Sequence, residues 1–127
     1  MAADPVVFAV GVDRDYVVTV RNYRYPDYNI LKLDGVTRQP LAGVEFEIAH
    51  FFADGQIGSR IRNPFDGSFT WTTDSAGLIR IPNLPHGTYV AIETRALPGY
   101  RLAEPRIFVV ANHESTTITI HNYRYSE

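Results

Sequence analysis

The chain has 127 residues, 45% hydrophobic and 20% charged, with a net charge of -2, which describes one ordinary globular domain with a single core. The near-neutral balance offers no basic stripe for nucleic acid and no polybasic or lipidated segment for a membrane surface, and no apolar stretch approaches the roughly 18 residues of a membrane-spanning helix. With no cysteine, disulfides and thiolate chemistry are excluded, although the compartment stays open.

The start, Met1-Ala2-Ala3-Asp4, lacks the charged and apolar regions of a signal peptide, so the chain reads as an excised or mature fragment. Short alternating segments rich in Val, Ile, Thr, Phe and Tyr then follow one another. They are Val6-Val10, Tyr16-Val20, Ile30-Leu33, Val44-Ile48, Ser68-Thr72, Leu78-Ile81, Thr88-Glu93, Ile107-Val110 and Thr116-His121. Turn pairs such as Asp34-Gly35, Asp54-Gly55, Asp66-Gly67, Ala76-Gly77, His86-Gly87 and Pro98-Gly99 separate them. No segment has a helical period. The pattern predicts an all-β, immunoglobulin-like sandwich of about seven strands. The stretch from His50 to Gly67 is too irregular for a full strand and is expected to be a long loop with one short pairing.

An internal repeat sets the domain boundary. Residues 4–25 align without gaps on residues 104–125, with eight of 22 positions identical, including the block Asn22-Tyr23-Arg24-Tyr25 against Asn122-Tyr123-Arg124-Tyr125. Residues 1–26 therefore read as the last two strands of a preceding copy, and residues 27–127 as one complete copy in a tandem array. The competing reading is that both ends belong to one sheet and look alike because neighbouring strands do similar work. An orphan hairpin is marginal in water, so residues 5–22 are expected to pack on an edge of their own domain or on a neighbouring molecule.

Lys32 is the chain's only lysine beside eleven arginines. Alternation places it on one face with Ile30, leaving Leu31 and Leu33 on the other. An amine held in a core loses its proton easily and becomes a nucleophile; the competing reading is a surface lysine whose stem lies on apolar surface. In the last strand, Ile118, Ile120 and Asn122 share a face, and Glu93 ends an apolar strand on the face of Tyr89 and Ala91. Three polar groups thus have the placement to meet in one core, although Glu93 also fits a solvated strand end and Asn122 a turn.

The blocks Ile30-Leu31-Lys32-Leu33-Asp34, Pro40-Leu41-Ala42-Gly43-Val44-Glu45-Phe46, Thr72-Thr73-Asp74-Ser75-Ala76-Gly77, Leu84-Pro85-His86-Gly87-Thr88-Tyr89 and Glu93-Thr94-Arg95-Ala96-Leu97-Pro98-Gly99-Tyr100, with the strand ending in Asn122, occur in that order. Over about residues 28–123 the sequence resembles the Cna-type B domains, also called SpaA-like or prealbumin-like domains, of Gram-positive surface proteins and pilins. The Leu-Ala-Gly-Val and Glu-Thr-x-Ala-x-Pro-Gly-Tyr parts are the most specific. The resemblance implies a prealbumin-like sandwich serving as a rigid spacer in an extracellular, cell-wall-attached stalk. It also implies a spontaneous isopeptide bond between Lys32 and Asn122, assisted by Glu93. On physical grounds, burial would favour a neutral amine and a neutral acid, the acid hydrogen-bonding and polarising the amide oxygen while the amine attacks. No turnover and no cofactor are expected.

Asn22, the repeat's counterpart of Asn122, is the internal competitor for Lys32 and ranks below it. Tyr25-Pro26-Asp27-Tyr28 lacks the lysine that pilin shafts use in polymerisation, which argues against a polymerising pilin. His50, His86, His113 and His121 have no metal-ligand spacing, and Asp13 with Asp15 reads as a solvated turn. The expected partners are neighbouring repeats. An alternative function is an adhesive module in which Tyr23, Tyr25, Tyr123 and Tyr125, with Arg24 and Arg124, recognise a host protein or glycan. A transthyretin-like hydrolase would share the sandwich but needs clustered histidines that the sequence does not place.

Overall fold

The computed structural model describes residues 25–111 and 114–125. The predicted hairpin and its partner, the competitor Asn22, and Asp13, Asp15, Tyr23, Arg24 and His113 lie outside the described residues. Eight strands form: β1 (Tyr28–Asp34), β2 (Glu45–Phe51), β3 (Ile57–Arg60), β4 (Trp71–Thr72), β5 (Leu78–Ile81), β6 (Gly87–Arg95), β7 (Arg106–Val110) and β8 (Thr116–Asn122). No helix occurs among the described residues. One sheet has the order β5-β1-β8; the other runs β3-β2-β6-β7, with β4 also on β2.

Period-2 alternation decides which side chains line the space between the sheets. Along β1 every second residue is buried, from Tyr28 and Ile30 to Lys32 and Asp34. Phe46 and Ile48 of β2, Ile79 and Ile81 of β5, Tyr89 and Ala91 of β6, Phe108 and Val110 of β7 and Ile120 of β8 complete the apolar core. Phe108 stacks on Tyr28 at 4.6 Å and on Tyr89 at 5.7 Å between ring centres.

The feature that positions the site is the β1–β8 pair. These strands, first and last of the eight, run parallel in continuous register from Tyr28↔Thr116 to Asp34↔Asn122. A parallel pair cannot be closed by a tight hairpin, so the whole sandwich forms the connection between them.

One segment falls short of the strand its composition suggests. Of Ser68–Thr72 only Trp71–Thr72 joins a sheet. The Ser68 amide bonds Asp66 Oδ1, and the Thr70 amide bonds Ser68 Oγ, so short polar side chains take the backbone groups a ladder would use. Within His50–Gly67, the expected long loop, β3 makes a short pairing on β2, with a register shift between Ala49 and Phe51, and His50 continues the pairing of β2 with β6. Trp71 pins the rest, its Nε1–H donating to the Ile61 carbonyl at 3.2 Å.

Candidate functional site

Lys32, Glu93 and Asn122 meet between the sheets. All three are buried, at 0%, 5% and 1% exposure. Lys32 Nζ lies 2.7 Å from Glu93 Oε1, and Asn122 Nδ2 donates to Glu93 Oε2 at 2.7 Å. One carboxylate therefore bridges the amine and the side-chain amide through its two different oxygens. Lys32 Nζ also sits 5.5 Å from the centre of the Phe46 ring, a face that favours a cation.

Each residue is placed by its strand. Lys32 pairs with Ile120 and Asp34 with Asn122, so Lys32 and Asn122 stand on neighbouring strands, two residues out of step, on the same face. With strands about 4.8 Å apart and about 3.3 Å per residue, that diagonal is about 8 Å between Cα atoms, within the reach of a lysine stem. Glu93 approaches from the opposite sheet, paired with Phe46, where the register of β2 on β6 shifts between Glu45 and Phe46. Such a bulge next to a polar group re-aims the side chain.

The backbone around Lys32 is clamped on both sides. Its amide donates to the Gly77 carbonyl at 2.7 Å and its carbonyl accepts from the Leu41 amide at 2.9 Å. Gly77 has φ +77°, and a Cβ there would lie 2.7 Å from the Lys32 carbonyl oxygen. Buried Thr73 braces the adjoining loop, donating from Oγ1 to the Leu41 carbonyl at 2.7 Å and accepting from the Val44 amide at 2.9 Å. At the other end Gly35 donates to the Asn122 carbonyl at 2.8 Å, and the Tyr123 ring occupies the space a Cβ on Gly35 would need.

Burial and the Glu93 carboxylate act on the amine in opposite directions, and burial is the larger. Burial pulls the Lys32 pKa below its usual 10.5, and the Glu93 carboxylate 2.7 Å away pulls the other way. Lys32 Nζ, Glu93 Oε1 and Asn122 Oδ1 make no aligned hydrogen bond. The amide orientation departs from the expectation that an acid on Glu93 bonds the amide oxygen: the nitrogen faces Glu93.

A second polar layer, which sequence reasoning did not single out, lies just beyond. Asp34 is 1% exposed. Its Oδ1 accepts from the Val36 and Thr37 amides at 2.8 and 2.9 Å, its Oδ2 accepts from the Tyr100 hydroxyl at 2.6 Å, and Arg124 Nε stands 3.7 Å from Oδ2. The Tyr100 hydroxyl and these amides hold its pKa down at about 2. Asp34 was legible in principle, since the alternation that turns Lys32 inward turns Asp34 inward too.

The residues of the adhesive reading are partly docked on this domain. Tyr123 covers Gly35, Arg124 lies 4.8 Å from the Tyr100 ring centre, and Tyr25 meets His86 edge-on at 5.8 Å. Tyr125 is 66% exposed. His50 packs on Tyr89 and His121 on Tyr123. Among the described residues no group of three or more His, Asp or Glu could hold a metal ion, and no helix is long and apolar enough to cross a membrane.

Fold and strand order define an all-β, prealbumin-like sandwich. The profile of the SpaA prealbumin-like fold domain matches residues 26–124, and the chain belongs to that family. Among solved structures it is similar to GBS52, the minor pilin of the Gram-positive pathogen Streptococcus agalactiae. There it shows 31% identity and a TM-score of 0.67 over 80% of this chain and 45% of that one. The group B streptococcus pilus 2b backbone protein matches at 25% identity and a TM-score of 0.65, over 84% of this chain and 43% of the other. The C-terminal domain of the shaft pilin SpaA from Lactobacillus rhamnosus GG shares the fold at 22% identity and a TM-score of 0.57, over 78% and 97%. The chain spans less than half the length of the first two. No curated protein sequence matches it.

Proposed function

We propose that Lys32 and Asn122 become joined by a spontaneous intramolecular isopeptide bond assisted by Glu93. The domain is then a covalently closed spacer in the stalk of a Gram-positive cell-surface protein, working beside neighbouring copies or pilin-like subunits. The observation that carries this reading is the bridging carboxylate, 2.7 Å from the amine and 2.7 Å from the amide nitrogen, with all three groups shut away from water.

The chemistry follows from that bridge. A proton passes from Nζ to Oε1, leaving a neutral amine that attacks Cγ of Asn122. Through Oε2 the same carboxyl group returns a proton to Nδ2, the Cγ–Nδ2 bond breaks, and ammonia departs. Starting from ammonium and carboxylate, the one proton left over stays on Glu93 or leaves with ammonia as ammonium, so atoms and charge balance. Proton transfer through Glu93 lowers the barrier. The fold supplies proximity, turning a bimolecular amidation into an intramolecular one. The product stays attached, so there is no turnover and the domain is not an enzyme.

The bond would close a loop of about 90 residues, worth about 4–5 kcal/mol by analogy with a disulfide of that span. Its mechanical value is larger in kind. Tension entering at the start of β1 and leaving at the end of β8 shears two parallel neighbours, and a covalent tie between them carries the load past the other six strands.

Intact mass spectrometry of the purified chain beside Lys32→Met and Glu93→Gln tests the proposal. The wild type should be lighter than its sequence mass by one ammonia, and neither variant should be. A wild-type chain at its full sequence mass overturns it.

A further inference from the structure

We propose that Asp34, Tyr100 and Arg124 form a positioning layer for the cross-link, holding Lys32 and Asn122 at reacting distance without touching either reacting atom. The inference rests on the isopeptide reading above and adds three residues to it.

The layer repeats the site one step further out. Asp34 follows Lys32 by two residues on the same face of β1, and Arg124 follows Asn122 by two residues beyond β8. Tyr100 lies on the segment that continues from β6, the strand of Glu93. The three elements that deliver the reacting groups are therefore the three that meet at the Asp34 carboxylate, through Tyr100 at 2.6 Å and Arg124 at 3.7 Å. Backbone bonds repeat the connection. The Arg101 amide donates to the Tyr123 carbonyl at 2.9 Å, the Tyr125 amide donates to the Gly99 carbonyl at 3.0 Å, and Tyr100 and Arg124 face one another in the short ladder between them.

A carboxylate is a costly way to seal the end of a core. Leucine would exclude water without any desolvation penalty, whereas a buried charge destabilises unless every acceptor site is used. At Asp34 both oxygens are used. A fully satisfied polar network admits one geometry, while apolar side chains slide over one another. One geometry is what an amidation without turnover needs, since a misplacement of about 1 Å costs on the order of 100-fold in rate. Asn122 is the last residue of its strand, where strands fray unless tied down.

The test uses the full chain after brief expression, following loss of ammonia by intact mass over time. Tyr100→Phe removes one hydroxyl, and Arg124→Gln changes a half-exposed side chain, so both should fold. Trp71 fluorescence checks that they do. Wild type should be linked at the first time point, and the variants should link roughly 10- to 100-fold more slowly. The second arm is NMR of the Asn122 side-chain amide in a Lys32→Met background, where no bond can form. A positioning role moves or broadens those resonances in both variants; a layer that only adds stability leaves them in place. Linking at the wild-type rate, or slower linking with unmoved Asn122 resonances, overturns the positioning layer alone. A wild type that never loses ammonia overturns the cross-link and this inference with it.

Discussion

Lys32 with Glu93 and Arg60 with Glu47 are, as chemistry, nearly the same pair. The nitrogen–oxygen distances are 2.7 and 3.1 Å. Each basic group also lies against a phenylalanine, Lys32 at 5.5 Å from Phe46 and Arg60 at 4.2 Å from Phe69. They differ in water. The side chains of the first pair are fully buried, whereas those of the second are 48% and 33% exposed. At the rim, solvent screens the charges and supplies other partners, so the pair is a weak surface tether. In the core water offers neither group an alternative, and Glu93 has only Asn122 as a second partner. A basic side chain paired with a glutamate is thus a surface tether at one place and a water-excluded polar pair at the other.

The largest break in that comparison is expected from truncating the carboxylate in each pair. Glu93→Ala should abolish the bond, at about 4–5 kcal/mol, and leave an amine buried without its partner, at about 3–5 kcal/mol more. Glu47→Ala should cost about 0.5 kcal/mol or less. Calorimetry should show a drop in Tm on the order of 20 °C or more for the first and almost none for the second. Comparable shifts would mean that burial does not separate the two pairs.

A smaller contrast isolates the backbone. Gly77 and Gly67 both have φ +77°, yet a Cβ on Gly77 would press on the Lys32 carbonyl oxygen at 2.7 Å while one on Gly67 meets nothing within 4 Å. Gly67→Ala should cost the conformational term alone, about 1–2 kcal/mol. Gly77→Ala should cost about 1–3 kcal/mol beyond that, because the atom in the way is backbone that cannot swing aside. It should also leave a fraction of molecules unlinked, since the Lys32 strand must shift. Denaturant melts together with intact mass measure both, and equal costs at the two glycines would refute the clamp.

The buried and rim regions also differ in how much of them the sequence reveals. Alternation identified the inward faces of β1, β6 and β8, and with them Lys32, Glu93 and Asn122, because period 2 is a local property of each strand. The parallel pairing of β1 with β8 is not local, since it joins residues about 90 apart, and spacing does not reveal it; the resemblance to a family implied only that Lys32 and Asn122 meet. Ser68–Thr72 was misread for the opposite reason. Its β-branched and aromatic residues suggest a strand, but Asp66 and Ser68 bond the backbone first. Asp34 was treated as the first half of an Asp-Gly turn. It is that, bonding the Val36 and Thr37 amides, and it is also a core residue, a double duty no turn motif signals.

That double duty gives the smallest and most specific expectation. In the folded chain Asp34 keeps its charge down to about pH 2, chiefly through the Tyr100 hydroxyl and then the Thr37 and Val36 amides, against an ordinary value of 3.8. Between those values the unfolded chain binds the proton and the folded chain does not. Stability contributed by Asp34 is therefore complete above 3.8 and is lost as pH falls from there through about 2. Asp66, lowered chiefly by the Ser68 amide and then its hydroxyl, has the same sign, but its loop faces water and its contribution should be smaller. The measurement belongs in the Lys32→Met chain, where no covalent bond masks unfolding. There, Asp34→Asn should flatten the acid limb of the stability curve and Asp66→Asn should barely change it. Equal slopes in the two variants would place the Asp34 carboxylate, energetically, at the rim, and would remove the physical reason for its burial beside Lys32 and Asn122.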